Sequence, residues 1–152
     1  MEKTNGKLRI CLDPKDLNAA TKRPYYPMPT LEDVLSKMTG AKFFSKLDAR
    51  SGYWQLKLSP ESSYLTTFNT PYGRYRFLRL PFGIVSAQDE FQLKMDETFE
   101  GLPGITPLVD NIIVTGRTQE EHDTNLRATL ERAAAKNLKL NPDKLTVGAQ
   151  EV

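Results

Sequence analysis

Two acidic residues, Asp48 and Asp110, terminate or interrupt apolar segments of this 152-residue chain. Asp48 follows the apolar-rich residues 41–47, and Asp110 lies between the short runs 105–109 and 112–114. Such runs predict strands, which hold side chains rigidly, and two strands side by side would bring the carboxylates together. Close carboxylates repel each other by up to about 4 kcal/mol at roughly 4 Å, with an effective dielectric near 20, unless a cation lies between them. The pattern therefore indicates a site for a divalent cation such as Mg²⁺, which prefers oxygen ligands.

Carboxylates that hold two divalent ions are typical of phosphoryl-transfer sites, where the ions neutralise triphosphate charge and activate an attacking hydroxyl. Each acid also has an ordinary structural interpretation. A lone Asp after a strand is commonly a turn or cap residue, and Asp-Asn between apolar runs is commonly the centre of a hairpin. On the local sequence alone, both interpretations stay open.

Several further strands are predicted from the alternation of apolar and polar residues. Residues 7–13 predict one strand, and residues 64–69 and 72–80 predict two more that are joined by a turn. Asp110 and Asn111 are predicted as the two central residues of a tight hairpin.

One long helix is predicted over residues 86–100. Phe91, Met95 and Phe99 follow one another there at four-residue steps. That spacing is typical of a helix with a single aromatic and apolar stripe facing the core.

A second long helix is predicted to begin at Thr118, because Glu121 completes a capping box. The helix is predicted to run through Leu126 and Leu130, and Asn137 marks its end. Strands and helices in this order predict an α+β domain with an antiparallel sheet and helices on one face.

Composition narrows the classes of protein that remain. The length fits one domain, and a net charge of +2 does not by itself indicate a nucleic-acid partner. A single cysteine, Cys11, and a single histidine, His122, exclude a disulfide framework and a Cys/His zinc site. No apolar run approaches the roughly 18 residues of a membrane span, and the first residues lack the apolar core of a secretory signal. We expect an intracellular protein, in the cytoplasm or nucleus, with no membrane partner.

Several longer blocks, in order along the chain, resemble the reverse transcriptases of gypsy-type LTR retrotransposons. The match extends over nearly the whole chain, and ordered blocks are more specific than any one short motif. The blocks are residues 44–55 (Phe-Ser-Lys-Leu-Asp-Ala-Arg-Ser-Gly-Tyr-Trp-Gln), residues 67–77 (Thr-Phe-Asn-Thr-Pro-Tyr-Gly-Arg-Tyr-Arg-Phe), residues 80–84 (Leu-Pro-Phe-Gly-Ile) and residues 107–114 (Pro-Leu-Val-Asp-Asn-Ile-Ile-Val).

The resemblance implies a polymerase palm-type sheet of ferredoxin-like shape, with part of the fingers. Residues 1–152 would form one fingers/palm fragment, with about 1–40 and 60–85 fingers-like, the remainder palm, and the thumb and RNase H absent. The implied activity is RNA-directed DNA polymerisation by two-metal nucleotidyl transfer, with Mg²⁺ or Mn²⁺. The implied partners are an RNA or DNA template with its primer, deoxynucleotide triphosphates and the remaining polyprotein domains.

The resemblance also implies a role for individual residues. Asp48 and Asp110 would bind the metal ions, with Asn111 at a degenerate third catalytic position. The nucleotide-binding residues would be Arg9 and Lys3 on the triphosphate, Tyr53 under the sugar, and Phe82 and Gly83 at the border of the pocket. A basic strand face would track the nucleic-acid backbone, and alternatively it is a solvated strand edge: Arg74, Arg76 and Arg79.

Three positions depart from the family pattern: Leu108 replaces a common Tyr, Gln88 replaces a usual Pro, and Asn111 replaces a carboxylate. Asn111 matters most, because an amide carries no charge and is a poorer magnesium ligand. Asn tolerates left-handed turn geometry, so we expect an intact hairpin with impaired catalysis, which truncation would impair further.

Two alternatives remain. The chain could be a non-catalytic remnant that keeps the palm fold for nucleic-acid binding or protein interaction. It could also be an unrelated RNA-binding domain of ferredoxin-like shape, which a wide separation of Asp48 and Asp110 would favour.

Overall fold

The computed structural model describes residues 6–21 and 26–149. The chain divides into two compact units, one built from the described part of residues 1–25 with Ser51–Glu90, the other from Tyr26–Arg50 with the described part of residues 91–152. The helices and strands, in chain order, are α1 (Lys15–Ala20), α2 (Leu31–Lys37), β1 (Phe43–Asp48), α3 (Pro60–Tyr64), β2 (Phe68–Thr70), β3 (Gly73–Tyr75), α4 (Ala87–Thr98), β4 (Ile105–Leu108), β5 (Asn111–Gly116), α5 (Gln119–Ala135) and β6 (Thr146–Ala149).

The second unit contains a four-stranded sheet in the order β4-β5-β1-β6. Every neighbouring pair in it is antiparallel. The predicted α+β class with an antiparallel sheet is confirmed.

One face of this sheet is mainly apolar. Alternate residues of a strand point to the same face, and those of β1 and β5 that point to this face are buried. Leu47 is paired with Ile112, and Ser45 with Val114. All four are almost fully buried. The next pair, Asp48 and Asn111, is one residue beyond Leu47 and Ile112 and therefore lies on the opposite face.

The helix predicted over residues 86–100 is confirmed as α4. Its stripe of Phe91, Met95 and Phe99 is buried, with at most 4% of each residue exposed. Burial of three large side chains on one stripe anchors the helix, each by about 1.5–3 kcal/mol.

The helix predicted from Thr118 through Leu126 and Leu130 is confirmed as α5, and its buried face is mostly polar. Leu130 is 44% exposed, and the buried residues are His122, Asn125, Thr129 and Ala133. The cause is a close approach to β5, since a Cβ at Gly116 would lie 2.3 Å from the His122 backbone nitrogen.

Polar side chains fit this α5 interface because each has a hydrogen-bond partner. His122 Nε2 lies 2.7 Å from Ser45 Oγ, and Asn125 Nδ2 donates to the Thr115 carbonyl at 2.8 Å. The predicted capping box at the start of α5 is only half formed. Thr118 accepts from the Glu121 N–H, whereas the Glu121 carboxylate accepts from Arg117.

The first unit has less strand than predicted. Residues 7–13 form only isolated bridges, such as Cys11 with Phe82. Tyr64, which was predicted to begin a strand, is instead the last residue of α3, and the β2–β3 hairpin has only three residues in each strand. Pro60 at the first turn of α3 favours a helix there, which delays the start of the strand predicted from residue 64.

Among the described residues, none of the helices has the length and apolar character needed to cross a membrane.

Candidate active site

The end of β1 lies beside the start of β5. Asp48 and Asn111 are directly paired in the antiparallel register, so their side chains share one face of the sheet. The Ala49 N–H donates to the Asp110 carbonyl at 2.7 Å. The predicted meeting of the Asp48 strand with the Asp110–Asn111 segment is therefore observed in the backbone.

The turn between β4 and β5 is one residue earlier than predicted. Leu108 pairs with Asn111, which leaves Val109 and Asp110 as the central residues of a two-residue hairpin. Val109 has φ of 53°, an unfavourable left-handed conformation for a β-branched residue. The hairpin expected to stay intact with Asn111 is present, although Asn111 is the first residue of β5 and Val109 is the residue with left-handed geometry.

The amide of Asn111 contacts the neighbouring acid. Its Nδ2 donates to Asp110 Oδ1 at 3.4 Å, a long hydrogen bond. A carboxylate at position 111 would place two negative groups at this contact. The amide therefore removes a repulsion that two acids would create here.

The cationic side chain of Lys144 lies close to the Asp48 carboxylate. Asp48 is 5% exposed, and Lys144 Nζ lies 3.8 Å from its Oδ2. The backbone N–H of Asn141 donates to the Asp48 carbonyl at 2.8 Å and so fixes the 3-10 turn Pro142–Lys144 beside β1. Across residues 6–21 and 26–149, no group of three or more His, Cys, Asp or Glu could hold a metal ion.

Three predicted nucleotide-binding residues form a cluster in the first unit. The Arg9 guanidinium lies over the Phe82 ring, 4.7 Å from its centroid. The Tyr53 ring is 4.9 Å from the same ring, and Trp54 contacts it edge-on at 5.9 Å. Phe82 is thus the centre of a cluster with one cation and three aromatic rings.

Gly83 gives this cluster its backbone geometry. It has φ of +105°, and a Cβ there would lie 1.7 Å from the Leu12 carbonyl oxygen. The Leu12 N–H donates to the Phe82 carbonyl at 2.8 Å, and Asn18 Nδ2 donates to the Gly83 carbonyl at 2.9 Å. Only glycine lets these segments approach so closely. Lys3, the remaining predicted residue, lies outside the described residues.

The predicted basic face is exposed in the first unit, but two of its arginines make contacts within the chain. The Arg76 guanidinium lies 3.9 Å from the centroid of the Tyr64 ring, and Arg79 Nη1 donates to the Gln55 carbonyl at 3.4 Å. Arg74 is exposed on β3.

Residues 1–152 match the family model described as Reverse transcriptase (RNA-dependent DNA polymerase). The chain belongs to the reverse transcriptase family. This assignment removes the alternative of an unrelated RNA-binding domain.

Similar proteins of the reverse transcriptase family are much longer. The Enzymatic polyprotein of Cestrum yellow leaf curling virus is 38% identical over 149 residues, which cover 96% of this chain and 23% of that protein. The Retrovirus-related Pol polyprotein from transposon 412 of Drosophila melanogaster is 34% identical over 148 residues, which cover 96% of this chain and 12% of that protein. The chain therefore spans less than a quarter of the length of either relative.

Solved reverse transcriptases share the fold. A foamy viral protease-reverse transcriptase in complex with double-stranded DNA has a TM-score of 0.91 and 22% identity, and the match covers 100% of this chain and 27% of that one. The foamy viral enzyme in complex with an RNA/DNA hybrid has a TM-score of 0.81 and 20% sequence identity, and the match covers 89% of this chain and 18% of that one.

Sequence reasoning missed two features of this candidate site, Lys144 and the left-handed Val109. Asn141-Pro142 is a local signal for a turn, but no local pattern says that this turn lies beside Asp48. Val109 gives no signal, since valine favours extended backbone.

Proposed function

We propose that this chain is the catalytic core of an RNA-directed DNA polymerase from a gypsy-type LTR retrotransposon, with activity weakened by Asn111. The observation that supports this most is the direct pairing of Asp48 with Asn111 beside Asp110. We assign palm character to the unit with the four-stranded sheet, and fingers character to the other unit. The whole polyprotein's activity, with its primed template and its other domains, is part of the proposal.

The residues at the end of β1 fit a divalent metal ion. The available ligands are oxygens, and Asp48 already has the Lys144 ammonium 3.8 Å from its carboxylate, which indicates a position that attracts cations. We assign Asp48 and Asp110 as the ligands, with Asn111 at a weakened third position. When bound, Mg²⁺ or Mn²⁺ would neutralise triphosphate charge and activate the primer 3′-hydroxyl.

The chain's own residues would bind and orient the nucleotide. We assign the Arg9 guanidinium to triphosphate oxygens, since its planar group suits them and its stacking on Phe82 fixes its plane. The Tyr53 ring would lie under the sugar and exclude a 2′-hydroxyl, which favours deoxynucleotides. Phe82 and Gly83 would border the pocket, and Lys3 is a further triphosphate candidate.

Asn111 lowers the charge of the proposed metal site by one. Its Nδ2 is directed to Asp110, so this ligand position presents a hydrogen-bond donor to the neighbouring acid. We therefore expect weak metal binding and slow nucleotide incorporation.

The test is single-turnover incorporation of one deoxynucleotide on a primed RNA template, with enzyme in excess and Mn²⁺ present. Asn111→Asp should raise the rate by tenfold or more, and Asp110→Asn in the Asn111→Asp background should abolish the gain. Equal rates for the original chain and Asn111→Asp would contradict the proposal.

The second candidate is a non-catalytic module that binds nucleic acid. It is favoured by Asn111 and by the exposed edge of the β2–β3 hairpin, where Tyr72 is 89% exposed beside Arg74. Exposed aromatic rings stack on bases, and arginine binds phosphate. Binding of an RNA/DNA hybrid that Arg74→Ala weakens, with no incorporation by Asn111→Asp, would support this candidate.

A further inference from the structure

A series of partly buried hydrogen bonds runs from Tyr26 through α4 to the turn that carries Asp110. Its members are Tyr26, Asp96 and Gln92, and it ends on the backbone of Pro107 and Val109. We propose that Gln92 is a positioning residue, which holds the Val109–Asp110 turn and so sets the direction of the Asp110 carboxylate. The second part rests on the proposed function, because it treats Asp110 as a metal ligand.

Gln92 holds the β4–β5 hairpin at two backbone groups. Gln92 is fully buried, with 0% of its surface exposed. Its Nε2 donates to the Pro107 carbonyl at 3.1 Å, and its Oε1 accepts from the Val109 N–H at 2.6 Å. One side chain therefore fixes the strand before the turn and the first residue of the turn.

The orientation of the Gln92 amide is determined by its surroundings. Nε2 also donates to Asp96 Oδ1 at 3.0 Å, so both of its hydrogens meet acceptors that cannot donate. A flipped amide would place Oε1 against a carboxylate and a carbonyl. Oε1 is thereby directed to Val109.

Tyr26 completes the chain of hydrogen bonds. Its hydroxyl donates to Asp96 Oδ2 at 2.5 Å, and this hydrogen bond raises the pKa of Tyr26 to about 12. The phenol therefore stays a donor at every physiological pH. Asp96 receives one hydrogen bond on each oxygen and presents a fixed acceptor to Gln92.

The turn needs such support because Val109 adopts φ of 53°. A β-branched residue is unfavourable there and would relax if nothing held its N–H. Asp110 follows directly, so any relaxation of Val109 would rotate the peptide that carries the candidate ligand. The conformation is thus maintained by a buried side chain 17 residues earlier in the chain.

The test compares Gln92→Met, which keeps the length of the side chain and removes its hydrogen bonds, with Gln88→Met, an exposed position on the same helix. Amide hydrogen exchange is measured on the full chain without metal. Gln92→Met should accelerate exchange at Val109 at least tenfold while the amides of Ile112 and Val114 stay protected. Gln88→Met should leave all three unchanged.

Unchanged exchange at Val109 in a folded Gln92→Met protein would overturn the proposal. If Gln92→Met does not fold, Tyr26→Phe serves instead, since it removes only the outermost hydrogen bond. Acceleration at Val109 of about twofold or more is then expected, and no acceleration would overturn the proposal.

Mn²⁺ affinity, measured by electron paramagnetic resonance, separates the two parts of the inference. Weaker binding by Gln92→Met than by the original chain, by about threefold or more, would support positioning of Asp110. Gln92→Met could exchange faster at Val109 while the original chain binds no Mn²⁺. That result would show that Gln92 holds the turn, and it would overturn both the ligand role of Asp110 and the proposed function.

Discussion

Asp48 of β1 lies directly opposite Asn111 of β5, and the Asn111 amide donates to Asp110. This arrangement brings two carboxylates and one neutral amide to one end of the sheet, with the Lys144 ammonium 3.8 Å from Asp48 Oδ2. The amide and the ammonium both lower the negative charge at this end.

Asn111→Asp should make stability depend on metal. The new carboxylate would replace a 3.4 Å contact with Asp110 by like-charge repulsion. In EDTA the free energy of unfolding should fall by about 1–4 kcal/mol, and Mn²⁺ should restore most of it. Chemical denaturation with and without Mn²⁺ measures this effect.

The matched control is Asn69→Asp, which makes the same change at an exposed strand position. Its stability should respond little to Mn²⁺. Loss of stability in Asn111→Asp that Mn²⁺ does not reverse would contradict the metal-site assignment.

Lys144→Met should strengthen binding of Mn²⁺. The ammonium lies 3.8 Å from Asp48 Oδ2 and competes with an incoming cation. Because the lysine side chain is 63% exposed, stability should change by less than about 0.5 kcal/mol. We expect affinity for Mn²⁺ to rise about threefold, equivalent to roughly 0.6 kcal/mol of removed repulsion. Titration calorimetry checks this, with the exposed Lys136→Met as control, and equal affinities would exclude competition by Lys144.

Gly83→Ala should disrupt the cluster around Phe82. Both the positive φ and the contact with Leu12 oppose a side chain, so the free energy of unfolding should fall by at least about 3 kcal/mol. Gly73→Ala separates the two causes, because Gly73 has φ of +121° with nothing within 4 Å of an added Cβ. It should cost about 1–2 kcal/mol.

The single tryptophan, Trp54, reports on this change because its ring contacts Phe82 at 5.9 Å. Gly83→Ala should shift its emission in the folded protein, and Gly73→Ala should not. An equal cost for the two substitutions would mean that φ alone explains both.

The elements that carry Asp48 and the aromatic stripe of α4 could be predicted from the sequence. Phe91, Met95 and Phe99 repeat with the helical period, and residues 41–47 form an apolar run that ends in an acid. In both cases burial itself generates the pattern, so periodicity is sufficient.

The rest depends on contacts between distant segments. The buried face of α5 is polar because Gly116 brings the helix close to β5 and Ser45 lies opposite His122. The turn starts at Val109 instead of Asp110 because Gln92, on another element, binds the Val109 N–H. No local pattern contains these partners, so the sequence did not predict the polar face of α5 and placed the turn one residue too late.

The hydrogen bond from Tyr26 to Asp96 should produce a stability change at high pH. The pKa of Tyr26 is about 12 in the folded chain, whereas an unfolded tyrosine has a pKa of about 10. A raised pKa means that folding favours the protonated form. The contribution of this hydrogen bond to the free energy of unfolding is therefore complete below about pH 10 and is lost as the pH rises toward 12. Tyr26→Phe should remove this part of the pH dependence, and Tyr72→Phe, at an exposed position, should retain it. Urea unfolding of the three proteins between pH 9 and pH 12 provides the measurement, and parallel curves for Tyr26→Phe and the original chain would contradict the hydrogen bond.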